Sequence, residues 1–513
     1  MEATHFARGT KRRHSGEQTT SADSRNTHGD TAALDTAALG GGTMPHADSN
    51  SDKLALTYKR GKPGSHGEDY FLNLYSTEPD FRRLGLKYPE LGVWLKDGVY
   101  LDFTDPIAVV QLTKTLLRED FDIHVDLPSD RLCPPVPNRH NYILWLKELL
   151  DGTSSSYSER YEPGRPVTGL DIGTGASLIY PLLGCVQRPA WHFIATDIDT
   201  ESLASARANA RLNGLESRIR VVDRVPSDLL IPLHDLDIDQ LDFVMVNPPF
   251  YSSRAEMLDL AAQKSRSPHS VCTGAPVEMV CEGGEVQFVD RMIKESLVLK
   301  DKVQWYTAML GKQSSLEALV DVLRKHQIHN YSVTTLVQGS KTRRWVLGWS
   351  FLTRRPSLSA SRGTSSSIAK KLLPSVTSII IHEPFSLAHT DTIARLRSII
   401  CTTMESLDLR SWIWDNDSLR GIGFSERNVW SRAYRRSKAA EGVVPRPEAS
   451  ALPSDITLCA FGFSLSIQPA DRDGSGDGPA TVIRWLQGED ASLFESFAGM
   501  MRRCLRKDTS LTS

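Results

Sequence analysis

Asn247-Pro248-Pro249-Phe250 is the run whose residue types and order could do chemistry. An amine conjugated to a ring or a carbonyl is a poor nucleophile, because its lone pair is delocalised. Two acceptors binding its N–H groups favour a tetrahedral nitrogen and turn the lone pair towards an electrophile such as a sulfonium methyl. The Asn247 side-chain oxygen and the Pro248 carbonyl can supply those acceptors. Consecutive prolines hold the backbone with φ near −65°, and Phe250 can stack on a flipped base. No strong general base is required, since the proton becomes acidic only after transfer, so catalysis would rest on positioning. Two prolines can also simply terminate a strand. The motif alone does not separate adenine from other planar amines such as a glutamine amide.

A second run, Leu170-Asp171-Ile172-Gly173-Thr174-Gly175-Ala176-Ser177, would let a ligand approach the backbone at the end of a first strand. A plain structural turn is the other reading. The dinucleotide fingerprint fails, because Leu178 stands where its third glycine belongs. Asp197 ends the next apolar run, at the distance beyond the glycines (about 20 residues) where an acidic side chain accepts hydrogen bonds from ribose hydroxyls. A ribose without a pyrophosphate describes S-adenosylmethionine, with Asp171 near its amino-acid end. Either carboxylate could instead cap the following helix.

These residues need strands that end together. VTGLDIG, WHFIATDID, RIRVVDR and LDFVMV read as strands, and SLASARANARLNG as a helix closed by Gly214. KVQWYTAML and RRWVLGWSF read as strands flanking the helix SLEALVDVLRKH. Alternating strands and helices predict an open, mainly parallel α/β sheet covered by helices. Upstream, DPIAVVQLTKTLLREDF places Val109, Leu112, Leu116 and Leu117 at helical spacing, and NYILWLKELLDG predicts another helix.

The chain's 513 residues exceed one domain of roughly 100–200 residues. Residues 1–53 are polar and poor in large apolar side chains, and are expected to be a disordered tail. Lys11-Arg12-Arg13-His14 within it is either a nuclear-import signal or a solvated charge run. Residues 54–150 form a helical extension, 151–353 the α/β domain, 354–372 a flexible basic Ser-rich linker, and 373–513 a small α+β module. In that module Trp430 and Tyr434 interleave with Arg432, Arg435, Arg436 and Lys438. This is either an RNA-binding stripe or one buried helix face with solvated arginines.

A net charge of −2 means any polyanion site must be a local patch. No apolar run reaches the roughly 20 residues needed to span a bilayer, and the first residues lack the apolar core of a secretory signal. Seven scattered cysteines without a C-x-x-C pair suggest reduced thiols in an intracellular protein, with no zinc site and no disulfide framework.

KYPEL, LDFTDPIAVVQLTKTLLREDF, VPNRHNYILW, LDIGTGASLIYPLLG, NPPF, EGGEVQFVDRMI, WYTAMLGK and RRWVLGWSF run from about Leu84 to Phe351. Through them the chain resembles the U6 small nuclear RNA adenine-N6 methyltransferases (methyltransferase-like protein 16 and relatives), and more distantly a bacterial ribosomal RNA adenine-N6 methyltransferase. The resemblance implies a Rossmann-like class I methyltransferase sheet of seven strands whose N-terminal extension forms part of an RNA groove. It implies S-adenosylmethionine as cofactor, structured RNA (foremost U6 small nuclear RNA) as partner, no membrane partner, and residence in the nucleus or also the cytoplasm. Arg139, Gly173, Gly175, Ser177, Asp197 and Asn247 would line the cofactor site; Asn247, Pro248, Pro249 and Phe250 would hold the adenine. Asp197 stands where some relatives carry Glu. Between Tyr251 and Met279 the family's Arg-rich run is reduced to Lys264 and Arg266. Lys59, Arg60, Lys62, Arg82, Arg83 and Lys87 are the candidate phosphate contacts. A protein glutamine-amide methyltransferase shares the NPPF-type motif but not the VPNRHNYILW and LLREDF blocks. A non-catalytic RNA-binding protein on this scaffold would be expected to lack the glycines or Asn247, and all are present.

Overall fold

The computed structural model describes residues 66–256, 274–338, 342–364, 368–382, 389–440, 448–449, 456–469 and 479–507. The N-terminal tail with its basic run, Lys59, Arg60, Lys62, Lys264 and Arg266 lie outside the described residues.

Strands β1 (Val167–Ile172), β2 (Trp191–Asp197), β3 (Ile219–Asp223), β4 (Leu241–Val246), β5 (Val303–Leu310), β6 (Tyr331–Gln338), β7 (Thr342–Trp349) and β8 (Arg362–Gly363) form one sheet in the order β8-β6-β7-β5-β4-β1-β2-β3. Only β7 runs antiparallel to its neighbours. Seven of these strands follow the class I methyltransferase pattern, and β8 adds an eighth at the edge. Side chains alternate between two cores: on β4, Phe243 and Met245 face one, Val244 and Val246 the other. Helices α1 (Pro106–Phe121), α2 (Val136–Asp151), α3 (Ile179–Gln187) and α4 (Thr200–Leu212) cover the first face. Helices α5 (Gly284–Leu299) and α6 (Gln313–Lys325) cover the second. In α1, Leu112, Leu116 and Leu117 are buried and Val109 half-buried, as their spacing predicts.

Two elements depart from the sequence reading. Helix α2 begins at Val136, not Asn141, because Pro137 fits the first turn, where no amide donor is needed. VPNR is therefore the helix start, and Arg139 points from it into the core. Strand β6, YSVTTLVQ, is not among the expected strands, although its β-branched content favours a pleated surface.

The Ser-rich segment is not a flexible linker where it is described. Ser357 caps α7 (Leu358–Ser361), Ser357 also donates to Glu148, and Arg362–Gly363 pairs with β6. Arg355 and Ala360 are buried. Serine composition suggests solvation, but each hydroxyl can instead satisfy a backbone or carboxylate partner.

The C-terminal module is α+β. Strands β9 (Ser378–His382), β10 (Ser411–Asp415), β11 (Arg420–Ser425), β12 (Glu448–Ala449), β13 (Phe461–Gln468) and β14 (Ala480–Gln487) are ordered β9-β14-β13-β11-β10-β12. Its helices are α8 (His389–Glu405), α9 (Arg432–Ala440) and α10 (Ala491–Lys507). Leu396 and Ile400 of α8, with Phe494 and Phe497 of α10, pack against Phe461, Phe463 and Trp485.

The module docks on the loop before β1 and the segment after β7. Both lie at the end of the sheet away from the carboxyl ends of the parallel strands. Arg354 bridges Gln487, Glu159 pairs with Arg420 at 2.6 Å and Arg484 at 2.8 Å, and the Tyr157 ring meets Phe424 at 5.1 Å. No described helix is long and apolar enough to cross a membrane.

Trp430 is part of this core. It is 4% exposed, contacts Phe461 and Phe497, and donates to Ser496. The Tyr434 hydroxyl bonds Asp408. The expected stacking of these two rings on bases is corrected accordingly: the aromatics serve packing, while Arg432, Arg435 and Arg436 are exposed. Trp430→Ala should cost about 3–5 kcal/mol in urea unfolding. A loss under about 1 kcal/mol, the range of ordinary surface changes, would show that the ring does not pack as described.

Candidate active site

β1, β2 and β4 end side by side, and the order reverses between β1 and β4, the switch point where open α/β sheets take ligands. A cavity of about 670 Å³ opens there. Its wall includes Arg139, Gly173, Gly175, Ser177, Asp197, Asn247, Pro248 and Pro249. Eight of the ten residues singled out from the sequence thus meet in one place. Asp171 lies behind the wall, fully buried. Phe250 stands beyond it, against Gly311 and 5.4 Å beneath the Arg344 guanidinium.

Gly173 and Gly175 take φ of +69° and +64°, the left-handed region that favours glycine. A Cβ on Gly173 would meet nothing within 4 Å, so the loop leaves open space where a ligand can press on the backbone. Leu178, the N-cap residue before α3, is also left-handed with φ +54°. A side chain occupies the turn that the dinucleotide fingerprint gives to glycine.

Asp197 organises the loop. One oxygen accepts from the Gly175 amide at 2.8 Å, the other from Ile198 and Asp199 amides at 2.8 and 3.0 Å. Burial raises its pKa, against the pull of those amides. Capping of α4 falls to Asp199, which accepts from Ser202 at 2.9 Å, so the helix-cap reading of Asp197 does not apply.

Asp171 accepts from the Thr174 hydroxyl at 2.7 Å, while its other oxygen is buried without a partner. Burial pushes its carboxyl up to about 7; Thr174 opposes the rise, the Asp197 charge adds to it, and Arg139 lowers it. The folded chain therefore holds this proton more tightly than the unfolded chain, whose aspartates titrate near 3.9. The stability tied to the proton is full below about pH 4 and is lost as pH rises through about 7. Asp171→Asn should remove that slope. Urea unfolding of the ligand-free protein should show the variant gaining on the wild type between about pH 4.5 and 7.5; a pH-independent gap would contradict the assignment.

Asn247 presents a buried side-chain oxygen without a hydrogen-bond partner, at the carboxyl end of β4. Such an acceptor costs about 1–3 kcal/mol unless a ligand fills it. Arg139 donates to the Tyr180 hydroxyl at 2.9 Å and turns its charge to the cavity. On the rim, Arg224 pairs with Asp228 and Asp235, and Lys294 with Asp290.

Three contributors are not read from the sequence. Glu278 joins two segments, accepting from Leu132 at 2.9 Å and Ala275 at 2.7 Å, and approaches Gly175. Pro276 followed by an acid two residues on is a helix-start signal that could draw attention to it. Glu285 and Arg344 are brought in only by the packing of distant segments. Among the phosphate candidates, Arg82, Arg83 and Lys87 are all exposed, and Arg83 and Lys87 are both paired with Glu119.

The orphaned oxygen of Asp171, the open glycine loop and the acidic turn at Asp197 fit a ligand with a cationic end and a ribose. They fit S-adenosylmethionine.

Comparison with known proteins gives the same direction. The RNA methyltransferase family profile matches residues 67–353. The chain is 34% identical over 409 residues to the U6 small nuclear RNA (adenine-(43)-N(6))-methyltransferase of Schizosaccharomyces pombe, covering 79% of this chain and 95% of that one. It is 42% identical over 279 residues to the RNA N(6)-adenosine-methyltransferase mettl16 of Danio rerio, covering 53% and 57%. With METTL16 of Homo sapiens it shares 42% identity over 281 residues, covering 53% and 48%. The chain thus spans nearly the whole fission-yeast relative and about half the length of these animal ones. With the profile matching over half of its length, and the strand ends, glycine loop and NPPF turn placed as such a fold requires, the chain belongs to the RNA methyltransferase family.

Proposed function

We propose that this protein transfers a methyl group from S-adenosylmethionine to N6 of an adenine in structured RNA, foremost U6 small nuclear RNA. The observation that carries the reading is the unpartnered Asn247 oxygen, held beside two rigid prolines at the rim of the glycine-loop cavity. The fission-yeast relative, matched over 95% of its length, bears the name of that activity.

When bound, S-adenosylmethionine supplies a sulfonium methyl as electrophile. Asp197, Gly173, Gly175, Ser177 and Arg139 would hold it, with Asp171 balancing charge from behind. Asn247 Oδ1 and the Pro248 carbonyl accept the two N–H bonds of the adenine amine, and so aim its lone pair. Pro249 stiffens the turn, and Phe250 supports the base. These groups position rather than ionise, so rate comes from orientation. The amine's proton leaves after transfer and needs no dedicated base.

A duplex A-form groove hides base edges, and chemistry on a base requires flipping it out. An RNA stem-loop with an unpaired target adenine should be methylated faster than the same sequence fully paired. Equal rates would overturn the adenine-flipping reading. Its nuclear residence is proposed on the same ground, since U6 small nuclear RNA is a nuclear partner.

The C-terminal module would add RNA affinity through exposed Arg432, Arg435 and Arg436 on α9. Replacing the three by Glu should weaken RNA binding and flatten its salt dependence, by a slope of about 0.7–0.9 for each phosphate no longer neutralised. Turnover at saturating RNA should not change. An unaltered salt slope would remove RNA from this helix.

A further inference from the structure

We infer that Glu285 is a positioning residue for Phe250, acting through the Gly311–Lys312 turn. The inference rests on the reading that Phe250 supports the target base.

Glu285 lies in the first turn of α5 and is 2% exposed. A glutamate there would ordinarily cap its own helix. Here both oxygens are spent on another element: Oε2 accepts from the Gly311 amide at 2.7 Å, and Oε1 from the Lys312 amide at 3.1 Å. Gly311 is the surface on which Phe250 rests. A Cβ at Gly311 would stand 3.0 Å from Phe250 Cδ1 and 3.4 Å from Glu285 Oε2.

The same residues close a ring around the aromatic. Lys312 Nζ pairs with Glu256 at 2.7 Å, and Glu256 in turn accepts from the amide and hydroxyl of Ser252. Gly283 and Gly284, with φ of +69° and +62°, let α5 begin close under this loop. A Cβ on Gly284 would be 3.3 Å from the Ser252 amide. Above the ring lies Arg344. Burial and then the Arg139 charge lower its pKa, and the Glu285 charge opposes them. Glu282-Gly283-Gly284-Glu285 thus gains a physical role: two glycines for close approach and one carboxylate to fix the turn behind the base support.

A misplacement of about 1 Å at a reacting centre can cost about 10² in rate. Gly311→Ala, which must push Phe250 by a few tenths of an ångström, should lower kcat about tenfold. Glu285→Gln, which sets an NH₂ against one of the two amides, should do at least as much. S-adenosylmethionine affinity and melting temperature should stay near wild type for Gly311→Ala. The discriminating readout is a double-mutant cycle. In a Phe250→Ala background neither change should reduce kcat further, because no ring remains to be placed. Rescue of part of the Glu285→Gln loss by Glu285→Asp would agree.

Wild-type kcat in Gly311→Ala, or losses that add fully to Phe250→Ala, would overturn the role of Glu285 while leaving the functional reading intact. A wild type inactive on RNA, or a fully active Phe250→Ala, would overturn the functional reading and this inference with it. Should Glu285→Gln fail to fold, Glu285→Asp decides in the same cycle: a kcat loss that vanishes in the Phe250→Ala background supports the role, and wild-type kcat or a fully additive loss overturns it.

Discussion

Asn247→Ala should lower methyl transfer by about 10²–10³, the usual loss on deleting one positioned polar partner of a reacting group. Cofactor affinity should change little, because the glycine loop and Asp197 remain. Stability gives the counter-signature. The Asn247 oxygen is buried without a partner in the protein, so removing it abolishes an unsatisfied acceptor rather than a packing interaction. The variant should unfold at the same urea concentration as the wild type, or slightly higher. A well-folded Asn247→Ala protein with near-normal turnover would take the acceptor role away from this residue. Loss of folding would mean that Asn247 is structural.

The second large effect is expected at Asp197. Its two oxygens take three backbone amides, from Gly175, Ile198 and Asp199, and so join the glycine loop to the acidic turn. Oδ1 is filled by the Ile198 and Asp199 amides, and Oδ2, which accepts only from Gly175, keeps a lone pair for a ribose hydroxyl. Hydrogen bonds to a charged group contribute about 1.5–3 kcal/mol. Asp197→Ala should therefore weaken S-adenosylmethionine binding roughly 10- to 150-fold. RNA affinity should move much less, since Asp197 faces the glycine-loop cavity assigned to the cofactor. Titration calorimetry reads both. Unchanged cofactor affinity would place the ribose elsewhere.

Much of this site is legible in the sequence because its signals are local. Gly173 and Gly175 need a conformation that few other residues tolerate. Asp197 closes an apolar run, and Pro248-Pro249 stops another, so each residue marks its own place at a strand end. Alternation of strand and helix then forces those ends together. What escapes the sequence is non-local. Glu285 and Gly311 are 26 residues apart and meet only after β5 has joined the sheet. Arg344 reaches Phe250 from β7, which enters antiparallel. Trp430 reads equally well as a base-stacking ring or a core ring, since aromatic and basic residues interleave in both cases. The partner that decides it, Phe497, lies on α10. The Ser-rich segment misleads for the opposite reason: composition reports average solvation, whereas Ser357 and Arg355 are each held by several specific partners, Glu148 and the Ala360 amide for the one, the Gly488 and His329 carbonyls for the other.

The measurement that bears most directly on the central claim is nucleoside mass spectrometry of the product. The purified chain is incubated with S-adenosylmethionine carrying a labelled methyl, and with U6 small nuclear RNA and total cellular protein in separate reactions. The account predicts label in RNA, recovered as N6-methyladenosine, absent with Asn247→Ala, and no label on glutamine. Label on protein glutamine, on another nucleoside, or in neither pool would contradict it.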